Sequence, residues 1–478
     1  MSLEWRRALP SLRSNRAAPA ALLLLGAMME AGFAGMLAAP PRPGATAPFL
    51  ALFLVVFVLY ALAVVALLPR LPGGAIWFVL GFACLFRLTL LAGVPALSTD
   101  LYRYRWDGKV TLAGLNPFLE PPADPSLAGL RDDLDTHLEH TDVRTIYPPA
   151  AQWLFASGAS IGRGVLGLKG LMILADLAAI AVLHRLLVAR GLSPQRLLIY
   201  AWNPLAVIEV AWSGHLEPVG VASVLLAGLA IVRKKDAAAV ASLALGGLVK
   251  ILPFVLLLPL LKTIRARWLA LVPLLVAAAC WPYRAAGWRL LDGLREYSDR
   301  WVANESLFGL VLGLVSWIDP TSALKSAIAF LRARIPGSEP LDRLYFFVYP
   351  PQIARALCAV AVIACVVAIL RLRVEPLRAL FLMTGALLLL SPIAHPWYLL
   401  WILPWLCLFP SGSWILLSGL AVLSYANLGA AGRLDEPYPW VRFAEYLPFY
   451  AALALEWRAA RRRASSRRGA AVVASRSG

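Results

Sequence analysis

Acidic charge is scarce in this chain: 27 Asp and Glu stand against 45 Lys and Arg, and the four types together make up 15% of 478 residues. With 60% hydrophobic residues there is too little polar surface to cover the apolar mass, so a soluble domain is excluded and an all-α polytopic membrane protein is expected. The five cysteines form no CxxC pair and have no histidine at ligand spacing; they read as small core residues, neither disulfides nor metal ligands. No GxGxxG or P-loop occurs, which leaves ATP or nucleotide-sugar chemistry without a home. An internal repeat is also missing, although a transporter with many spans is expected to carry one.

What is present is basic charge in short clusters between apolar runs and in the tail Arg461-Arg462-Arg463 to Arg467-Arg468. A net charge of +18 can serve nucleic-acid binding, but this distribution is the positive-inside pattern, whose partner is the lipid bilayer. No nucleic-acid partner is expected.

The apolar runs give about 12 membrane-spanning helices, with 11–13 as the range. Residues 1–17, with Arg6, Arg7, Arg13 and Arg16, form a basic cytoplasmic N-terminus, 18–460 the membrane domain, and 461–478 a basic cytoplasmic tail expected to be disordered. The first span, 18–39, also has the charged start and Leu37-Ala38-Ala39 end of a signal peptide. Spans ending at Leu68 and covering 75–97 deliver the chain to a large outer loop, 98–165, and a second outer region covers 282–344. Residues 150–162 and 307–318 are too short to cross and are expected at the interface. Spans five and six, 197–213 and 219–232, enclose a very short outer turn. Between Asp236 and Lys262 lie only about 25 apolar residues where two crossings need ~40, so this segment reads as a re-entrant hairpin with Lys250 near its tip. Glu30, Arg87, Asp176 and Glu209 fall inside apolar spans and are expected to pair structurally, Arg87 with one of the acids.

The stretch 98–109, Ser-Thr-Asp-Leu-Tyr-Arg-Tyr-Arg-Trp-Asp-Gly-Lys, follows the third span directly. As a helix it puts Asp100, Arg103, Tyr104 and Asp107 on one face at the membrane surface. The same side of the membrane collects Tyr147, His215, Glu217, Trp301, Asn304, His395 and Tyr398 from separate segments. Singly, each has a plain explanation as a cap, a turn residue or an interfacial aromatic.

Taken together, Asp100-x-Tyr102-Arg103-Tyr104-x-Trp106-Asp107-Gly108-Lys109, Gly114-x-Asn116-Pro117-Phe118, Ile146-Tyr147-Pro148-Pro149, Trp202-Asn203-Pro204-Leu205, Gly214-His215 and Ser391-Pro392-x-x-His395-Pro396-Trp397-Tyr398 resemble GT-C class membrane glycosyltransferases. The likeness is closest to bacterial polyprenyl-phosphate-mannose-dependent mannosyltransferases and covers roughly residues 75–410. It implies a GT-C-like bundle in the bacterial inner membrane, a lipid-linked donor, a glycan or glycolipid acceptor, an active site outside the cytoplasm, and Asp100 as general base. Thr99 stands where relatives usually carry a second acid, so no metal site and no cofactor are assigned and chelation is expected to have little effect.

Such chemistry needs a carboxylate for the acceptor hydroxyl, cations for the departing phosphate and an apolar groove for the isoprenoid. Arg103, Arg105, Lys250 and His395 are candidates for the phosphate. Trp301, Trp397 and Tyr398 are candidate sugar platforms, Asp107 is expected to orient Arg103 or Lys109 or else to bind acceptor hydroxyls, and Tyr102, Asn116, Tyr147, His215, Glu217 and Asn304 are further candidate substrate contacts. The rival readings are a transporter or flippase of a lipid-linked substrate, and a membrane acyltransferase with His395 as base.

Overall fold

A computed structural model describes residues 17–42, 44–162, 164–335, 337, 339–428 and 439–474, with only the backbone of 427, 439 and 463–474. The basic N-terminus through Arg16 and residues 475–478 lie outside the described residues. Among the described residues the chain is helical, and its only ladder contacts are isolated bridges such as Ala303 with Ile393.

Among the described residues six helices are long and apolar enough to cross a membrane: Ala17–Ala38 (α1), Ala47–Arg70 (begun by α2, Ala47–Leu62), Gly73–Leu91 (mostly α3, Ile76–Leu91), Leu166–Ala189, Ala266–Arg300 and Pro350–Arg371. The bent pair Leu307–Ile318 and Thr321–Arg334, at 69°, makes seven if it is one span. Their outward side chains are apolar: Leu24, Val55, Trp77, Leu88, Leu174 and Val360 are all exposed, as a bundle solvated by lipid requires. The other expected spans are shorter or broken, and proline is the local cause. Residues 197–213, expected as one span, break at Asn203-Pro204, where Pro204 lacks an N–H and Asn203 Oδ1 accepts from Leu205 N at 3.1 Å and Ala206 N at 3.3 Å. A π-helical turn, Ile208–Trp212, follows. The apolar run after His395 is two 3-10 segments, Pro396–Trp401 and Leu403–Cys407, each with a proline in its first turn.

The helix expected over 99–109 is α4, Asp100–Leu112, with Asp100 in its first turn and Lys109 in its last, both matched to the helix dipole. It packs against α5, Pro149–Ser160, so closely that a Cβ on Gly108 would stand 2.5 Å from the Phe155 carbonyl oxygen. Tyr104 stacks on Phe155 at 4.6 Å across this contact. The main core lies behind α4, among α3, α6 (Leu166–Ala189), α7 (Glu217–Val232) and residues 197–212 and 397–408, where Trp202, Trp212 and Trp405 are buried. There Arg87 Nε meets Asp176 Oδ2 at 2.6 Å, the expected pairing, and Thr89 donates to Glu30.

From α8, Asp236–Gly247, the chain folds back through the turn at Lys250 and the short helix Leu252–Val255. Its two ends meet where Arg265 Nε lies 2.8 Å from Asp236 Oδ2. Lys250 is thereby held at the far end of a hairpin, whose tip is docked by Ala150 N donating to the Leu248 carbonyl at 3.0 Å.

Candidate active site

The hairpin tip, the start of α4 and the segment after α14 (Pro376–Leu390) border one cavity of about 960 Å³, at the upper end of ligand-pocket sizes. Asp100, Arg103, Tyr147, Lys250, His395 and Tyr398 line its polar part. Leu252, Val255, Val362, Ile363, Leu387 and Leu388 continue it as an apolar wall.

Asp100 presents a side chain that is 36% exposed. Ser98 Oγ accepts from Asp100 N at 3.2 Å, which fixes the first turn. The Tyr104 hydroxyl donates to Oδ2 at 3.5 Å, and His215 Nε2 lies 4.0 Å from the same oxygen. His215 reaches this place because Gly214 turns the chain at φ +74°, in a spot where a Cβ would meet Leu101 at 2.9 Å.

Behind His215, its Nδ1 stands 3.0 Å from Glu209 Oε2, and the other Glu209 oxygen accepts from the Tyr425 hydroxyl at 2.5 Å. Burial opposes charge on His215, but the Glu209 carboxylate outweighs it and holds the imidazole above its ordinary pKa. His215, Trp397 and His395 form a stack with ring separations of 4.1 and 4.3 Å. His395, in the connection at 391–395, is pushed down to about 3 by burial, then by His215 and Lys250. Burial and these two cations disfavour charge on His395, which counts against it as the cation for a phosphate. Trp397 is corrected as a sugar platform, because an imidazole covers each of its faces.

Arg103 Nε meets Asp107 Oδ1 at 2.9 Å and its Nη2 donates to the Val143 carbonyl at 2.9 Å. Asp107 is buried and also accepts from Thr145 Oγ1 at 2.5 Å, so it orients Arg103 and does not face the cavity. Lys250 pairs with the wholly buried Glu217, and its Nζ lies 4.5 Å from the Tyr398 ring centroid. Glu217 thus acts through Lys250.

Arg105 points elsewhere. Its guanidinium holds Asp132 at 2.5 Å and Asp135 at 3.0 Å, with Lys109 sharing both acids, and this cluster ties α4 to the following loop. The Arg105 hydrogen bonds keep the Asp132 carboxyl well below its usual range. Asn116 Oδ1 accepts from Phe118 N at 3.1 Å and its amide donates to the Tyr283 carbonyl, a turn role away from the cavity. Asn304, at φ +46°, donates to Glu445 at 2.7 Å and Ser424 at 2.9 Å, also away from it. Tyr102 lines the cavity and packs on His137 at 4.7 Å. Trp301 lines it with Tyr297 stacked on it at 5.4 Å.

Two groups at this cavity escape a sequence reading, Tyr297, whose hydroxyl meets that of Tyr398 at 2.7 Å, and Arg355, while Glu209, read only as a buried charge, stands behind His215. Among the described residues no three His, Cys, Asp or Glu side chains gather as metal ligands do.

A membrane helix bundle with a carboxylate, cations and aromatic rings at one end of a cavity, and a long apolar wall at the other, is the layout of a membrane-embedded glycosyltransferase. A family model described as alpha-(1->6)-mannopyranosyltransferase, N-terminal domain, matches residues 20–267, and a model of the MptB C-terminal domain matches residues 350–428. The chain belongs to this mannosyltransferase family, and its resemblance to GT-C mannosyltransferases is borne out. No curated protein and no solved structure matches it.

Proposed function

We propose that the chain transfers mannose from a polyprenyl-phosphate-linked donor to a hydroxyl of a cell-envelope glycan or glycolipid, forming the α-(1→6) linkage that the family description prints. The reaction takes place at the extracytoplasmic face of the bacterial inner membrane, with both termini cytoplasmic, about 12 crossings and the 236–265 hairpin re-entrant. The acceptor oxygen bonds to the sugar's anomeric carbon as the bond from that carbon to the phosphate oxygen breaks. Asp100 takes the hydroxyl proton, polyprenyl phosphate leaves, and attack from the side opposite it inverts the centre. Lys250 offers a point charge for the leaving phosphate, Arg103 adds positive field beside Asp100, and Trp301 and Tyr398 border the space for the sugar.

The observation that carries this reading is the continuity of the cavity: the Asp100 carboxylate and the apolar side chains of Val255, Val362 and Leu388 border the same space. A soluble nucleotide-sugar donor has no use for such a wall. The test is transfer by purified protein in nanodiscs, with polyprenyl-phosphate mannose and a nucleotide-linked mannose compared as donors and mannooligosaccharides as acceptors. Transfer from the lipid donor alone is expected; transfer from the nucleotide donor alone overturns the proposal.

A further inference from the structure

Three cations with long side chains border the cavity, Arg103, Lys250 and Arg355, and the first two are compensated by Asp107 and Glu217. Arg355 is not. Among the described residues no carboxylate stands within ion-pair distance of it, and its one hydrogen bond runs from Nη2 to the Trp301 carbonyl at 3.2 Å. Its Nε and Nη1 atoms are buried and have no partner. A guanidinium edge withdrawn from water with its donors unmet is costly, and an anion is the ligand that relieves it, gripped by two N–H groups at once.

The helix that carries Arg355 says what kind of anion fits. Arg355 lies in the second turn of α13, Pro350–Arg371, and Cys358, Ala359, Val362 and Ile363 of the same helix also line the cavity. These are positions i+3, i+4, i+7 and i+8 from the arginine, so one face of α13 presents a cation followed by an apolar stripe that ends about 12 Å beyond it. Leu252 and Val255 of the hairpin and Leu387 and Leu388 of α14 complete the apolar walls. The guanidinium rests 5.9 Å from the Phe308 ring centroid, which limits its swing. A run of contacts through Tyr398, Tyr297 and Trp301 links it to Lys250.

We propose that Arg355 anchors the phosphate of a lipid-linked ligand through Nε and Nη1, and that the ligand's hydrocarbon chain lies along the 358–363 face of α13. The assignment rests on the lipid-donor reading above and adds the residue that holds the donor phosphate and the spent carrier. Lys250 then meets the same phosphate from the side of the sugar, where Asp100 takes the acceptor proton.

The experiment measures binding of polyprenyl phosphate to the purified full-length protein in nanodiscs, by quenching of tryptophan fluorescence, for wild type, Arg355→Gln and Arg355→Lys. Polyprenol and inorganic phosphate serve as separate probes, and thermal unfolding shows that each variant is folded. Arg355→Gln is expected to weaken polyprenyl-phosphate binding about ten- to a hundredfold, the factor for losing a hydrogen-bonded charge. Arg355→Lys, which keeps the charge but loses the planar fork, falls between, and polyprenol binds wild type and Arg355→Gln alike. Equal polyprenyl-phosphate binding by wild type and both variants overturns the role of Arg355 alone. Inorganic phosphate binding as tightly as the lipid overturns the lipid assignment, and no lipid binding by wild type overturns the donor reading beneath it.

Discussion

Lys250 is placed to do two things, and one pair of variants separates them. Its ammonium is 23% exposed, whereas the Glu217 carboxylate it pairs with is fully buried. Lys250→Met therefore strips the only ion-pair partner that the described residues give to a carboxylate withdrawn from water. Breaking such a pair on one side costs about 3–5 kcal/mol, and the partial exposure of Lys250 puts the expected loss near the low end, about 3 kcal/mol. The double variant Lys250→Met/Glu217→Gln removes both charges and is expected to recover most of that loss, because a matched neutral pair leaves nothing uncompensated. Unfolding in detergent followed by tryptophan fluorescence gives the stabilities, and steady-state transfer gives the donor KM. If Lys250 also serves the leaving phosphate, the double variant regains stability but keeps a KM raised about tenfold or more. A double variant no more stable than Lys250→Met refutes the coupling to Glu217. One with wild-type KM and turnover reduces Lys250 to a structural residue.

The raised pKa of His215 makes a pH prediction. Its charged form contributes stability that is fully present below the ordinary value of 6.5 and is lost as pH rises through the higher folded value. The unfolding-temperature gap between wild type and His215→Gln is therefore expected to be widest in acid and to narrow above pH 6.5, and a gap independent of pH contradicts the Glu209 contact. Arg105→Ala is expected to loosen the loop around Asp132 and Asp135 by about 2 kcal/mol, read by hydrogen exchange, with the donor KM unchanged. Since Asp132 is held below its ordinary 3.8, its own contribution is present above that pH and is lost as pH falls through the lower folded value.

Local pattern carried much of this molecule. Helical spacing placed Asp100, Arg103, Tyr104 and Asp107 on one face, and the contacts from Arg103 to Asp107 and from Tyr104 to Asp100 follow. The same spacing puts Arg105 off that face, a signal that it belongs with the acidic loop and not with a phosphate. A shortage of residues between Asp236 and Lys262 was enough to read a fold-back, now closed by Asp236 and Arg265. The buried pair of Arg87 and Asp176 was legible from the cost of charge in an apolar run. Contacts made across the fold were not. Glu209 meets His215 only because the chain breaks at Pro204 and turns through a π-helical segment. Trp397 reads as an exposed aromatic until His215, from a distant segment, stacks on it along with the neighbouring His395. Arg355 reads as an interfacial arginine, since nothing nearby in sequence tells that its donors face a cavity without partners.

The claim on which the account turns is that the Asp100 carboxylate takes the acceptor proton, and the most direct measurement is the turnover of Asp100→Asn set beside its affinity for polyprenyl phosphate. Turnover is expected to fall about a hundred- to ten-thousandfold, the range for losing a general base, while lipid binding stays at the wild-type level. Turnover near that of the wild type, in protein that binds the lipid normally, contradicts it.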